Sequence, residues 1–285
     1  MKSPGFSTGN VNTYSAKEYW TGLAENDRSV DATGFAPVVH PNAPPWLNSL
    51  IDELQFRAVW RALAPAKIPP SSRVLDIGYG TKRRVWRFQG IGFRVTGVDA
   101  TAGMLRLARC RGTASPLVVG EVFRPLFADS VFDFVSDVTV VQHILSPLQP
   151  QALGEKIRVL KPGGRLVLME LIRGKDAHIF PRKPRDWIEQ VTPRGAKPTR
   201  WFGQEFLLLD RLFVLLVQTM AGKTRSRSES SPFSAELPLP RASMARRLYW
   251  KIRHITAPLS AWIDSIIERV CPARFATHGV FTFQK

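Results

Sequence analysis

The chain has only two cysteines in 285 residues, Cys110 and Cys271, and neither has a metal-ligand partner at short spacing. That excludes a disulfide framework and a paired-thiolate zinc site, and reduced thiols in a cytosolic protein are the expectation. No run reaches the roughly 18 uncharged apolar residues that a transmembrane helix needs. The longest approach to one, Phe206 to Ala221, contains Asp210 and Arg211. The opening Met1-Lys2-Ser3-Pro4-Gly5 lacks the apolar run of a secretory signal, so the expected location is the cytoplasm. Acidic side chains are also scarce, 23 against 40 Lys and Arg, for a net charge of +17. Residues 1–70 are balanced, six basic and six acidic, whereas residues 71–210 carry 22 against 13 and residues 211–285 carry 12 against 4. A surface of this sign suits an acidic acceptor, nucleic acid or anionic lipid, or serves solubility alone. Neither paired zinc ligands nor an aromatic-rich RNA-binding segment accompanies it.

With 44% apolar residues, the chain is rich enough to bury a core. From Arg73 onward, short β-branched runs alternate with helical stretches, as a doubly wound parallel sheet requires. Strands are expected at Arg73–Ile77, Arg94–Asp99, Pro116–Glu121, Phe132–Ser136 and Arg165–Glu170, then at Lys197–Glu205 and Thr277–Phe283. Helices are expected at Arg83–Gly90, Ala102–Arg111, Pro150–Leu160 and Pro184–Val191, with a turn at Lys161-Pro162-Gly163-Gly164. The first strand runs into Gly78-Tyr79-Gly80-Thr81-Lys82, where two glycines let the backbone turn sharply and let a ligand approach main-chain N–H groups. Asp99 ends the second strand, where a carboxylate can accept hydrogen bonds from both hydroxyls of a ribose. Asp76, Gly78, Gly80 and Asp99 across two successive strands thus read as a nucleoside site at the carboxyl edge of the sheet.

Val74-Leu75-Asp76-Ile77-Gly78-Tyr79-Gly80-Thr81 and Val95-Thr96-Gly97-Val98-Asp99 resemble the first motif and the ribose segment of class I S-adenosylmethionine (SAM)-dependent methyltransferases. Phe132-Asp133-Phe134-Val135 and Leu160-Lys161-Pro162-Gly163-Gly164-Arg165-Leu166 resemble the family's fourth- and fifth-strand motifs. The resemblance covers residues 73–172. It implies a Rossmann-like α/β fold with a seven-stranded, mostly parallel sheet and a final strand inserted antiparallel. It also implies SAM as cofactor, S-adenosylhomocysteine as product, and no metal.

Residue by residue, the resemblance puts Asp76, Gly78, Tyr79 and Gly80 at the methionine end of SAM and Asp99 on the ribose. Ala100 and Met104 would flank the adenine, and Glu121-Val122 would lie near its amino group, unless Glu121 is an exposed strand-end charge. The backbone of Ser136 and Asp137, at the end of the fourth strand, would lie near the transferred methyl, with Asp137 equally open as a helix cap or a substrate contact. The family's third glycine is Lys82 here. Its side chain would crowd the methionine tail, pair with the SAM carboxylate, or point into solvent beside Arg83 and Arg84. The first of these outcomes makes a non-catalytic scaffold.

A hydroxyl acceptor needs a general base, and His143, one of five histidines, follows the fourth strand on the acceptor rim. The segment Tyr14–Trp20 is expected to be helical and to act as a lid, with Tyr14 or Tyr19 near the reacting centre, or else simply to pack on the core. The chain divides into an N-terminal lid segment 1–70, a core 71–205, a helical insertion 206–276 with a flexible stretch 222–240, and the last strand 277–285. The insertion, with its apolar Trp250, Ile255, Leu259 and Trp262, reads as a cap, a dimer interface or a membrane-contacting surface. The reading that follows is methyl transfer to oxygen or nitrogen of a small metabolite or natural product. The alternatives are a peptide or protein amine acceptor and a scaffold without turnover. Nucleic acid is a poor candidate, since no Asn-Pro-Pro-Tyr-like tetrapeptide is present to hold a flipped base.

Overall fold

In a computed structural model, the described residues are 14–25, 44–110, 112, 115–124, 126–173, 178–206, 208–209, 211–212 and 244–285. The expected helix Phe206–Ala221 and the stretch 222–240 lie almost wholly outside them. Seven strands form one sheet: β1 (Arg73–Ile77), β2 (Arg94–Asp99), β3 (Leu117–Val119), β4 (Phe132–Val138), β5 (Leu160–Leu171), β6 (Lys197–Gln204) and β7 (His278–Gln284). Their order is β3-β2-β1-β4-β5-β7-β6, parallel except for β7, which runs antiparallel to both of its neighbours. The connections reverse direction between β1 and β4, so a crevice opens there at the carboxyl ends of the strands.

Both faces of the sheet are buried, and the strands sort their side chains by alternation. Leu75, Ile77, Val135, Leu166 and Leu168 join Trp187 and Phe281 in one core beneath α5 (Gln149–Val159) and α6 (Pro184–Val191). Val74, Phe134, Val167 and Met169 join Phe88 and Val59 in the other, beneath α2 (Pro45–Leu63) and α3 (Arg83–Gly90). Two further helices precede and follow: α1 (Ala16–Glu25), whose Glu18 N–H is capped by the Ser15 hydroxyl, and α4 (Ala102–Cys110). The last helix, α7 (Met244–Val270), packs on α2 through Trp46, which stacks on His254 and meets Trp250 edge-on.

The turn expected at Lys161–Gly164 is instead taken into β5. The pairing register shifts between Phe132 and Phe134, and Gly163, at φ +78°, gives its N–H to the Lys285 carbonyl. The Lys285 N–H returns to Gly164. The left-handed glycine that suits a turn here makes a bulge, because the C-terminal residue supplies a pairing partner. β3 is also shorter than expected, since Gly120 and Glu121 leave the strand.

Across β4 and α5, the ammonium of Lys156 lies 3.1 Å from the Asp137 carboxylate, and both side chains are wholly buried. Glu170 on β5 is buried beside them, and its carboxyl is raised well above the ordinary range by burial and by Asp137. Replacing Lys156 with Met leaves an uncompensated buried charge, and the expected loss is about 3–5 kcal/mol in urea unfolding. Adding Asp137→Leu to the same chain should recover most of it. A loss below about 1 kcal/mol for the single variant would show that the pair is not a structural element.

Candidate active site

The loop after β1 is built from left-handed backbone. Gly78, Gly80 and Lys82 have φ of +64°, +52° and +70°. A Cβ on Gly78 would come within 2.3 Å of Val140 Cγ2, so the first glycine is required sterically as well as conformationally. The N–H groups of Gly78 and Tyr79 both reach the Val98 carbonyl, and the Gly80 N–H donates to Asp99 Oδ2 at 3.0 Å. Lys82 adopts the glycine-like conformation despite its Cβ, at a cost of about 1–2 kcal/mol. Its ammonium donates to the Gly112 carbonyl and lies 5.2 Å from the centre of the Trp86 ring. It lines no part of the cavity described next and is itself buried, so it turns away from the cavity, though not into solvent as expected.

A cavity of about 270 Å³ opens beside this loop. Gly78, Tyr79, Gly80, Asp99, Ala100 and Met104 line it, together with Glu121 and Val122. Asp99 Oδ1 accepts from the Thr101 N–H at 3.0 Å and from the Thr101 hydroxyl at 3.2 Å. Burial raises the Asp99 carboxyl above its ordinary range against the pull of these donors. Two carboxylate oxygens offer about four acceptor positions, and the Gly80 and Thr101 donors take three, which leaves at most one for a ligand hydroxyl. Tyr79 brings a buried hydroxyl with no partner among the described residues, held neutral by burial and by Asp99. Glu121 pairs with Arg124 at 2.9 Å at the rim.

The lining is completed by Tyr14 and Trp20 from the N-terminal segment and by Val140, His143, Leu145 and Leu148 from the chain after β4. The turn that carries His143 is held from two sides. Glu170 accepts the N–H groups of Val140, Val141 and Gln142 at 3.2, 2.8 and 3.0 Å. The Gln149 side-chain amide donates to the carbonyls of Val141, Ile144 and Phe180. His143 Nδ1 lies 3.1 Å from the His178 carbonyl, which can only accept, so Nδ1 carries the proton and Nε2, which faces the Gln142 side-chain amide at 3.4 Å, is the basic nitrogen. Trp20 meets the imidazole edge-on at 5.0 Å, and His178 stacks on it at 5.4 Å. Tyr14 has a buried hydroxyl with no partner among the described residues, and burial and Tyr19 push its ionisation upward. Thr139, at φ +58°, is a β-branched residue in the left-handed region on the cavity wall.

Four expected site residues stand off this wall. Asp76 is fully buried, and Arg84 lies between it and the cavity. The Arg84 Nε meets Asp76 Oδ1 at 3.1 Å, and another guanidinium nitrogen donates to the Gly78 carbonyl. Ser136 and Asp137 are buried beneath the floor, with Asp137 turned to Lys156. Tyr19 stacks on His178 at 4.3 Å, behind the wall. Conversely, Arg83, Arg84, Lys17 and Phe123 line the cavity without having been singled out in the sequence. The Arg83-Arg84 pair directly after the glycine loop was the available signal. Arg83 is itself held by Asp52 of α2 at 3.0 Å.

The donor and acceptor set suits SAM. The Asp99 carboxylate and the neighbouring Tyr79 hydroxyl match a ribose, and Ala100, Met104, Val122 and Phe123 offer an apolar slot for a purine. Arg83, Arg84 and Lys17 supply positive charge for an amino-acid carboxylate. None of these roles requires Lys82.

Comparison with known proteins agrees with this geometry. Residues 75–168 match the family model described as a methyltransferase domain. The chain is 33% identical over 113 residues to a demethylmenaquinone methyltransferase of Renibacterium salmoninarum, covering 39% of this chain and 47% of that one. It is 30% identical over 151 residues to the demethylmenaquinone methyltransferase of Mycobacterium tuberculosis, covering 53% and 62% respectively. The match thus spans less than two thirds of either relative's length. Among solved structures, a SAM-dependent methyltransferase from Archaeoglobus fulgidus shares the fold at a TM-score of 0.50 and 16% identity, over 82% of this chain and 94% of that one. Strand order and glycine loop thus agree with the methyltransferase-domain match of residues 75–168.

Proposed function

We propose that this protein transfers a methyl group from SAM to an oxygen or nitrogen atom of a small acceptor with a flat, apolar body. The observation that carries the reading is that Asp99, the glycine loop and His143 line one and the same cavity. SAM, when bound, supplies a methyl group on a positively charged sulfur that leaves as a thioether. The chain's part is alignment, exclusion of water and removal of the acceptor's proton. Trp20, Val140, Leu145 and Leu148 provide the dry walls. His143 takes the acceptor proton on Nε2, while the His178 carbonyl keeps the other proton on Nδ1 and stabilises the imidazolium that forms. Tyr14, neutral at physiological pH, offers a hydrogen-bond donor or acceptor to the acceptor's polar atom.

The modest volume and the closing N-terminal wall favour a small acceptor over a peptide, which needs an open groove. The quinone in the relatives' names fits a flat, apolar acceptor and belongs in any screen. The scaffold reading rested on Lys82 crowding the cofactor, and the contact of its ammonium with the Gly112 carbonyl, outside the cavity lining, speaks against that crowding.

Transfer of labelled methyl from SAM to a panel of phenols, amines and demethylated quinones tests the proposal. His143→Ala should lower kcat by about 10²–10⁴ for a hydroxyl acceptor while leaving the KM for SAM nearly unchanged. Undiminished turnover would remove His143 from the chemistry. Asp99→Ala should raise the KM for SAM by roughly 10–100-fold, the worth of hydrogen bonds to a charged group. Lys82→Ala should leave that KM within about twofold, because a side chain outside the cavity has no contact to lose there; a large improvement would mean that Lys82 obstructs the site.

A further inference from the structure

The outer face of α7 carries a line of apolar side chains that are exposed among the described residues. Leu248, Ile252, Ile255, Leu259, Trp262 and Ile266 follow one another at alternating steps of four and three residues. All six are exposed, Ile255 at 71% and Trp262 at 61%. The opposite face is the one that packs: Tyr249, Arg253, Ala257 and Asp264 are buried, and Glu268 pairs with Arg61 of α2 at 3.0 Å. The stripe is therefore held rigidly outward by contacts on the far side of the same helix.

The charges on α7 are divided in the same way. Both of its acidic residues face inward, Asp264 accepting the Phe206 N–H and Glu268 bound to Arg61. Arg247, Lys251 and Arg269 are exposed and lie along one edge of the stripe. The exposed arc thus combines apolar residues with positive charge and presents no carboxylate. A second copy of this chain would bring another such arc, with no anion to answer its bases. An anionic lipid surface answers both features, taking the apolar side chains below the headgroups and pairing the bases with phosphates. The helix is not long and apolar enough to cross a membrane, which suits a helix that lies in the interface.

We infer that α7 docks this protein on anionic phospholipid bilayers through its Leu248–Ile266 stripe and the basic edge beside it. The docking stands apart from catalysis, since no residue of α7 lines the cavity. Co-sedimentation of the full chain with vesicles of phosphatidylcholine, with and without phosphatidylglycerol, tests it. The protein should pellet with the anionic vesicles, stay in solution with the neutral ones, and be released by about 0.5 M salt, which shortens the reach of its charges. Leu259→Asp with Trp262→Asp should abolish pelleting, while the melting temperature stays near that of the parent because both side chains are exposed. Arg247→Ser, Lys251→Ser and Arg269→Ser should each weaken partitioning roughly fivefold. Failure of the parent to pellet with anionic vesicles, or pelleting unchanged by the double aspartate variant, would overturn the inference. So would a concentration-dependent dimer abolished by that variant with no vesicle binding, which would assign the stripe to a second copy.

Discussion

The cavity depends on one buried carboxylate and what it holds. Glu170, at the end of β5, receives three successive N–H groups from the turn after β4, groups that a chain leaving a strand would otherwise bury unsatisfied. That turn sets Val140 against Gly78 and sets His143 in the wall. Gln142 ties it further, its side-chain carbonyl accepting the Leu171 N–H at 2.7 Å. Gln149 closes it from α5 through three carbonyls. A wall built this way is rigid by hydrogen-bond saturation, and the His178 carbonyl that fixes the His143 tautomer lies in the next segment to join it. The Asp137–Lys156 pair beneath belongs to the same cluster, since Asp137 is one of the two causes that lift the Glu170 carboxyl.

The second constraint is the left-handed loop. Its geometry is kept although a lysine stands at the third family glycine, because the Lys82 backbone accepts the conformation and its side chain finds the Gly112 carbonyl and Trp86 outside the cavity. Beside the loop the cavity lining carries Arg83 and Arg84, two residues that also cross-link the fold, to Asp52 on α2 and to Asp76 on β1. The same guanidinium groups thus serve packing and the cavity surface. This explains why Asp76 is buried without facing the cavity, its carboxyl raised by burial against the pull of Arg84.

Much of this was legible in the residues. β1, β2, α3 and α6 have the bounds expected from the sequence, because each is a β-branched or amphipathic run closed by Gly, Pro or a charged residue. Asp99, Gly80, Met104 and His143 line one cavity because strand ends in a parallel sheet all point to the same edge. What escaped was set by partners distant in sequence. The Lys161–Gly164 turn became a bulge because Lys285 lies beside it. Asp76 left the surface because Arg84 covers it, and Tyr19 fell behind the wall because His178 offers a stacking face. In α7 the apolar periodicity marked two faces, and only the contacts of Tyr249, Arg253 and Asp264 decide which is inside.

The central claim is that the crevice between β1 and β4 holds an adenosyl ligand beside Asp99 and the glycine loop. Calorimetric titration of the purified chain with S-adenosylhomocysteine tests it most directly. The account predicts a saturable complex of one ligand per chain at micromolar concentration. An absence of binding up to millimolar ligand would contradict it, and with it the use of this cavity as a cofactor site.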